Sequence, residues 1–142
     1  MQLTEFEAIS LMSDSPYDEA VRELQDHLES FGGDIYAVLG AHVYNREQPD
    51  SLLHRVDRHT LSKEGKRYFT RVRAEIGQVV CGKAYEGDRA GMKALVIGMM
   101  PSLLARLELP VEAAGIAALC LIIVFKMGTR SFCASLGIGQ SQ

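Results

Sequence analysis

The chain of 142 residues has 15 Lys and Arg against 18 Asp and Glu, which gives a net charge of −3, and 47% of its residues are hydrophobic. This composition excludes wholesale disorder, and the length fits one domain. No long run of one charge sign occurs, which argues against a nucleic-acid-binding tail. We therefore expect one helical domain over residues 1–136 and a disordered tail over residues 137–142.

The N-terminal part of the chain predicts three helices. Thr4 and Glu7 have the spacing of a capping box, so we expect the first helix to begin after Thr4. Pro16 is placed at the first position of the second helix, where no amide donor is needed. That helix ends at Gly32, and Asp34 caps the third helix. The second helix has the clearest amphipathic stripe of the chain, formed by Tyr17, Val21, Leu24, Leu28 and Phe31.

The middle of the chain predicts two further helices. A short fourth helix follows Asp50, and a longer fifth helix begins near Thr60 or Ser62 and ends at Cys81. Basic side chains cover one side of the fifth helix, and binding of nucleic acid through them would depend on salt. The acidic N-terminal half would repel a duplex, so we interpret this side as a solvated face or as a complement to the acidic helices. The candidate surface residues here are Lys66, Arg67 and Arg71.

Residues 91–136 are very apolar and predict an antiparallel helical hairpin. We expect Pro101 to kink or break its first arm, because proline lacks an amide donor and clashes with the preceding turn. The second arm begins at Pro110. Its 13 residues from Ala113 to Phe125 contain neither a charge nor a hydroxyl group. A helix that is apolar on all sides must be surrounded by its own domain, by a partner or by lipid.

The length of this arm favours burial in a core over a membrane crossing. A crossing needs about 20 apolar residues, whereas about 10–14 are more typical of a buried helix. Apolar area that the other helices leave uncovered would mark an oligomer or partner surface, and this can coexist with a core role. The side chains predicted for such an interface are Leu95, Met99, Met100, Leu103, Leu121, Val124, Phe125 and Phe132.

Residues 54–59 contain the only dense group of polar side chains with catalytic residue types. Its two histidines are five residues apart, which does not place them on one helix face as a metal pair. We interpret the group as a solvated surface, with binding of an anionic substrate through its arginines as the alternative. His27 and His42 are interpreted as isolated boundary residues, and we predict no metal and no cofactor. The group consists of His54, Arg55, Asp57, Arg58 and His59.

The three cysteines are Cys81, Cys120 and Cys133. An odd count without a secretory signal is typical of a reducing compartment, so we expect a cytoplasmic location. Cys120 lies in the apolar run and is predicted to be a buried hydrophobic residue. Cys81 and Cys133 each close a helical stretch, which allows them to be neighbours in space.

The charges are divided unevenly along the chain. The net charge is −8 over residues 1–60, +3 over residues 61–90 and +2 over residues 91–142. The opposite signs can attract each other within one chain or head-to-tail between copies, and the second case favours assembly.

The sequence thus predicts an all-α compact bundle of five to seven helices with an apolar C-terminal hairpin. For its function we favour a non-enzymatic interaction or assembly module, such as a small adaptor, immunity or regulatory protein. Its partner would be another protein or a second copy of the chain. The alternative is a small membrane-acting effector whose apolar hairpin inserts in lipid on activation.

Overall fold

A computed structural model describes residues 2–47, 56–83, 85 and 88–137. In these ranges the regular structure is entirely helical, which confirms the predicted all-α bundle. A 3-10 turn at Val111–Ala113 precedes the sixth α-helix. The α-helices are α1 (Glu5–Met12), α2 (Asp18–Ser30), α3 (Ile35–Glu47), α4 (Arg58–Val80), α5 (Arg89–Arg106), α6 (Ala114–Met127) and α7 (Thr129–Ser135).

Helix α6 is the centre of the bundle. Every residue from Ala114 to Phe125 is buried, and no hydrophobic side chain among them is more than 3% exposed. Helices α1, α2, α3 and α5 pack around it, and α7 packs near its end. The predicted core role of this segment is therefore confirmed.

The same packing corrects the expected apolar surface. Of the eight side chains predicted for an interface, only Leu95 is half-buried, and the other seven are buried within the single chain. The amphipathic helices cover more of the apolar segment than the sequence pattern indicated, so these side chains are not accessible to a partner in this fold. The seven are Met99, Met100, Leu103, Leu121, Val124, Phe125 and Phe132.

The predicted capping signals of the N-terminal helices are confirmed. The Thr4 hydroxyl accepts from Glu7 N at 3.2 Å, and Glu7 Oε1 accepts from Thr4 N at 3.0 Å. Gly32 has a φ of 63°, the left-handed conformation that ends α2. Asp34 Oδ1 accepts from the third amide of the next helix at 3.0 Å. These local bonds fix the ends of α1, α2 and α3.

The predicted start of α2 at Pro16 is wrong, and the break considered at Pro101 does not occur. Helix α2 begins at Asp18 rather than at Pro16, because Asp18 Oδ1 accepts from Asp14 N and holds the connection as a turn. Helix α5 continues through Pro101 without a break. Pro101 is exposed, so water can hydrate the carbonyl group left without a donor. The predicted fourth helix after Asp50 falls mainly on residues 50–55, and these lie outside the described residues.

The relation between α5 and α6 differs from a simple hairpin. Helix α5 and the segment Val111–Met127 are separated by a short break and are bent by 113°. An antiparallel hairpin reverses the chain more completely than this. The two apolar elements therefore cross as a bent pair, and α6 can contact α1, α2 and α3 as well as α5.

Helices α3 and α4 approach each other most closely at two glycines. A Cβ atom on Gly40 would collide with the backbone carbonyl of Leu61, and one on Gly65 would collide with the carbonyl of Tyr36. Because the obstacles are backbone atoms, no side-chain rotation can relieve either collision. The absence of both Cβ atoms is what lets these helices pack at this distance.

A disulfide bond joins Cys81, at the end of α4, to Cys133 in α7. The Cα atoms are 5.9 Å apart, and 52 positions separate the residues in sequence. The expectation that these cysteines are neighbours is confirmed, and Cys120 is buried and free. The pairing removes the odd-count argument for a reducing compartment, since disulfides persist mainly in oxidising ones. Cytoplasmic location thus loses its sequence support.

We predict that Gly40→Ala and Gly65→Ala each lower the free energy of unfolding by about 3 kcal/mol or more, because the helices must separate to admit the methyl group. Gly98→Ala in α5 is the matched control, since nothing lies within 4 Å of its Cβ position. That control should gain about 0.5–1 kcal/mol from helix propensity. Urea denaturation of the three variants measures both effects, and equal stabilities for all three would contradict the close crossing.

We predict that reducing the Cys81–Cys133 bond lowers the free energy of unfolding by about 4 kcal/mol, as the chain-entropy model gives for a loop of this size. Denaturation with and without reductant measures the loss. Thiol titration of the unfolded, unreduced chain should find one reactive thiol, that of Cys120. Three reactive thiols would show that the bond does not form.

Candidate functional site

A surface cavity lies where α2, α3 and the beginning of α6 meet. Its volume is about 470 Å³. Two further concave regions share lining residues with it and extend it along α2 and α3. The cavity therefore belongs to a longer groove. Its polar lining consists of Glu23, His27, His42, Asn45, Arg46 and Glu112.

Two histidines form a direct contact in this cavity. Nδ1 of His27 lies 3.0 Å from Nε2 of His42, and the rings are tilted by 56°. At this distance one ring donates an N–H to the unprotonated nitrogen of the other. The interpretation of both histidines as isolated residues was wrong. Each follows a fully buried leucine by three positions, Leu24 in α2 and Leu39 in α3, and this spacing places both on core-facing sides.

The first turn of α6 surrounds His42 on its inner side. The position of a Cβ on Gly115 is 3.5 Å from both Cε1 and Nδ1 of the His42 ring. Burial lowers the pKa of His42 to about 4, and the nearby His27 adds to the lowering. Both effects keep His42 neutral near pH 7.

The charged residues that line the cavity come from three elements. Glu23 belongs to α2, Arg46 to α3 and Glu112 to the 3-10 turn before α6. None of them forms an ion pair with another residue described in the structure. The two carboxylates are therefore available to a cation in the cavity. Within the described ranges, no three His, Cys, Asp or Glu side chains form a group that could hold a metal ion.

Of the predicted polar group at residues 54–59, Asp57 and Arg58 make structural contacts near the start of α4. Asp57 caps α4 by accepting from Thr60 N at 2.8 Å, and this hydrogen bond lowers the pKa of its carboxyl group. Arg58 Nη1 donates to the Phe31 carbonyl at 3.4 Å, and His59 is exposed in the first turn of α4. His54 and Arg55 lie outside the described residues. Asp57 is thus engaged with its own helix rather than orienting a histidine.

The predicted basic residues lie exposed along α4. The Lys66 ammonium is 5.6 Å from the centre of the Tyr36 ring, and the Arg71 guanidinium is 5.2 Å from that of Tyr68. Arg67 pairs with Glu64 at 3.1 Å. The aromatic side chains next to these cations in sequence are buried, so they offer no platform on which a base could stack.

The chain matches no protein-family model, no curated protein and no solved structure. In the described parts of the chain, no single helix has the length and hydropathy to cross a membrane. Helix α5 taken together with Val111–Met127 has them, as a bent pair.

Proposed function

We propose that the protein is a non-enzymatic assembly module whose copies associate through two helix faces of opposite charge. Helix α2 carries five acidic side chains and one basic side chain, whereas α4 carries six basic and two acidic ones. The net charges of these helices are therefore −4 and +4. The acidic face of α2 is formed by Glu19, Glu23, Asp26 and Glu29, and the basic face of α4 by Lys63, Lys66, Arg67 and Arg71, all of them exposed.

This opposition of charge between α2 and α4 is the observation that carries the proposal, because the two faces do not neutralise each other within the chain. Helix α3 packs against both α2 and α4, which have few contacts with each other. The bond from Arg58 to the Phe31 carbonyl joins only the end of α2 to the start of α4. Each face is thus presented to solvent with its own sign of charge.

The ion pairs of the described residues leave the acidic face of α2 unmatched. Asp18 pairs with Arg22 in the same helix, which leaves the four carboxylates of the acidic face without an ion-pair partner among the described residues. Lys126 pairs with Glu5, and Lys93 lies 3.7 Å from Asp14, so two pairs do connect the acidic N-terminal part to the apolar third. Neither pair involves either charged face. A second copy, with its basic face, supplies the complementary charge.

Contact between the acidic face of one copy and the basic face of another is reciprocal in a two-fold dimer and head-to-tail in other assemblies. Head-to-tail contacts generate rings when the rotation closes and open chains when it does not. The association is expected to be salt-sensitive, because exposed charges are screened within about 10 Å at 0.1 M salt. The apolar residues that the sequence suggested as an interface stabilise the monomer instead.

We predict that Lys63→Glu/Lys66→Glu weakens self-association about ten-fold or more, because it cancels the positive charge of the basic face. Glu19→Lys/Asp26→Lys should weaken it similarly by cancelling the charge of the acidic face, and reversing all four charges on both faces should restore it by exchanging them. Light scattering on a size-exclusion column, over a concentration series at low and high salt, measures the effect. The matched control is Arg89→Glu/Arg130→Glu, which makes the same change in net charge on exposed residues elsewhere.

A wild-type chain that stays monomeric at low salt and high concentration would contradict assembly through these faces. If Arg89→Glu/Arg130→Glu weakens association to the same extent, the weakening results from the change in net charge alone. Failure of the variant with both faces fully reversed to recover would show that the two faces do not bind each other.

The fully apolar helix α6 favours one second candidate, a membrane-acting protein. Its residues from Ala114 to Phe125 have no polar side, and α5 supplies a second apolar element next to it. In such a protein the amphipathic helices shield α6 until the bundle opens. The 14 residues of α6 are shorter than the about 20 of a spanning helix, so α5 and α6 would enter lipid together.

We predict for this candidate that the chain releases dye from anionic lipid vesicles only under conditions that open the bundle. Ala118→Glu is the test variant, because a carboxylate in the middle of α6 opposes insertion. This residue is fully buried, so the variant must first be shown to fold. Gly98→Ala is the folded control. Equal leakage by Ala118→Glu and the wild type would exclude α6 as the inserting segment.

A further inference from the structure

We propose that the His27–His42 pair is an acid-sensitive latch, which holds α2 and α3 on the first turn of α6 and releases this turn when His42 is protonated. The latch is a conformational switch within a single chain. This proposal does not depend on the proposed association between copies. Four observations support it: the direct bond between the rings, their position on α6, the charged lining of the cavity and the depressed pKa of one ring.

The bond between the rings requires an unprotonated nitrogen. His27 Nδ1 and His42 Nε2 are 3.0 Å apart, so one of them accepts the proton of the other. Protonated His42 has only donors, so its contact with His27 survives only where His27 Nδ1 accepts. In that case the contact holds a positive charge in the buried position of the His42 ring, which is unfavourable.

The position of His42 transmits this change to α6. Its ring lies next to Gly115, the second residue of α6, where it would be 3.5 Å from a Cβ atom at that position. Leu24 Cδ2 is 3.8 Å from the same Cβ position, so α2 and α3 close over the first turn of α6 together. Burial makes protonation of His42 unfavourable as long as the ring keeps this position.

The cavity provides a second position for a protonated imidazole ring. Glu23 and Glu112 line it from α2 and from the 3-10 turn, and each can accept an N–H from an imidazolium. Arg46 from α3 is the opposing charge in the same lining. About 470 Å³ of open volume accommodates a rotated imidazole ring. When the His42 ring moves outward toward the carboxylates of Glu23 and Glu112, it leaves its position next to Gly115.

The direction of the pH dependence follows from the two states of His42. Its pKa is about 4 in the closed bundle and returns toward 6.5 once the ring is exposed. The open form therefore binds the proton more tightly. The closed form is fully favoured above pH 6.5, and its advantage falls as the pH drops from 6.5 toward 4.

The test is segment-resolved hydrogen exchange of the full chain at about pH 7.5 and about pH 5, with rates corrected for intrinsic exchange. The opening equilibrium of the first turns of α6 should rise about 30-fold between these conditions in the wild type. His42→Gln retains a hydrogen-bonding side chain but cannot titrate, so its α6 protection should stay constant. His59→Gln, which changes an exposed histidine in α4, is the matched control and should behave as the wild type does.

Equal loss of α6 protection in His42→Gln and the wild type would overturn the latch, and so would unchanged protection in the wild type. If His42→Gln does not fold, an NMR titration of the wild-type histidines decides. A His42 midpoint well below 6.5 supports the latch, and a midpoint near 6.5 overturns it. High salt weakens association of the charged faces, so the exchange experiment repeated there separates failure of the latch from failure of assembly.

Discussion

The burial of α6 on every side is the constraint on which the rest of this structure depends. A helix without a polar side cannot present any face to water, so apolar stripes must reach it from several directions. Helices α1, α2, α3 and α5 supply them. Burial of each large side chain contributes about 1.5–3 kcal/mol, which makes this helix the main source of stability. Its first half is rich in small residues such as Ala114, Gly115, Ala117 and Ala118, which let its neighbours approach closely.

Helix α4 is held in the bundle differently, and this explains why so much of its charge is exposed. It packs mainly on α3, through the crossing at Gly40 and Gly65, rather than on α6. At its other end the Cys81–Cys133 bond fastens it to α7. A helix secured by a close backbone crossing and a covalent bond needs only a narrow apolar stripe. The remaining circumference is free to carry the basic side chains.

The sequence was informative where one segment determines its own structure. The capping box at Thr4, the stop at Gly32 and the full burial of α6 all follow from patterns within a single helix. The other features depend on how helices cross. The contact between His27 and His42 joins two helices, and each histidine alone is an ordinary boundary residue. The chain as a whole also determines the burial of the expected apolar interface, because the area left uncovered depends on the final packing.

Glu23 connects the two devices proposed for this chain. It belongs to the acidic face of α2, and it also lines the cavity of the histidine pair. A basic face docked on α2 would neutralise part of the negative potential that draws an imidazolium into the cavity. Association would then disfavour opening of the latch, and by linkage protonation of His42 would disfavour association to the same degree. In the proposed scheme, assembly and acid opening are therefore opposed through Glu23, and the closed bundle is the form expected to assemble.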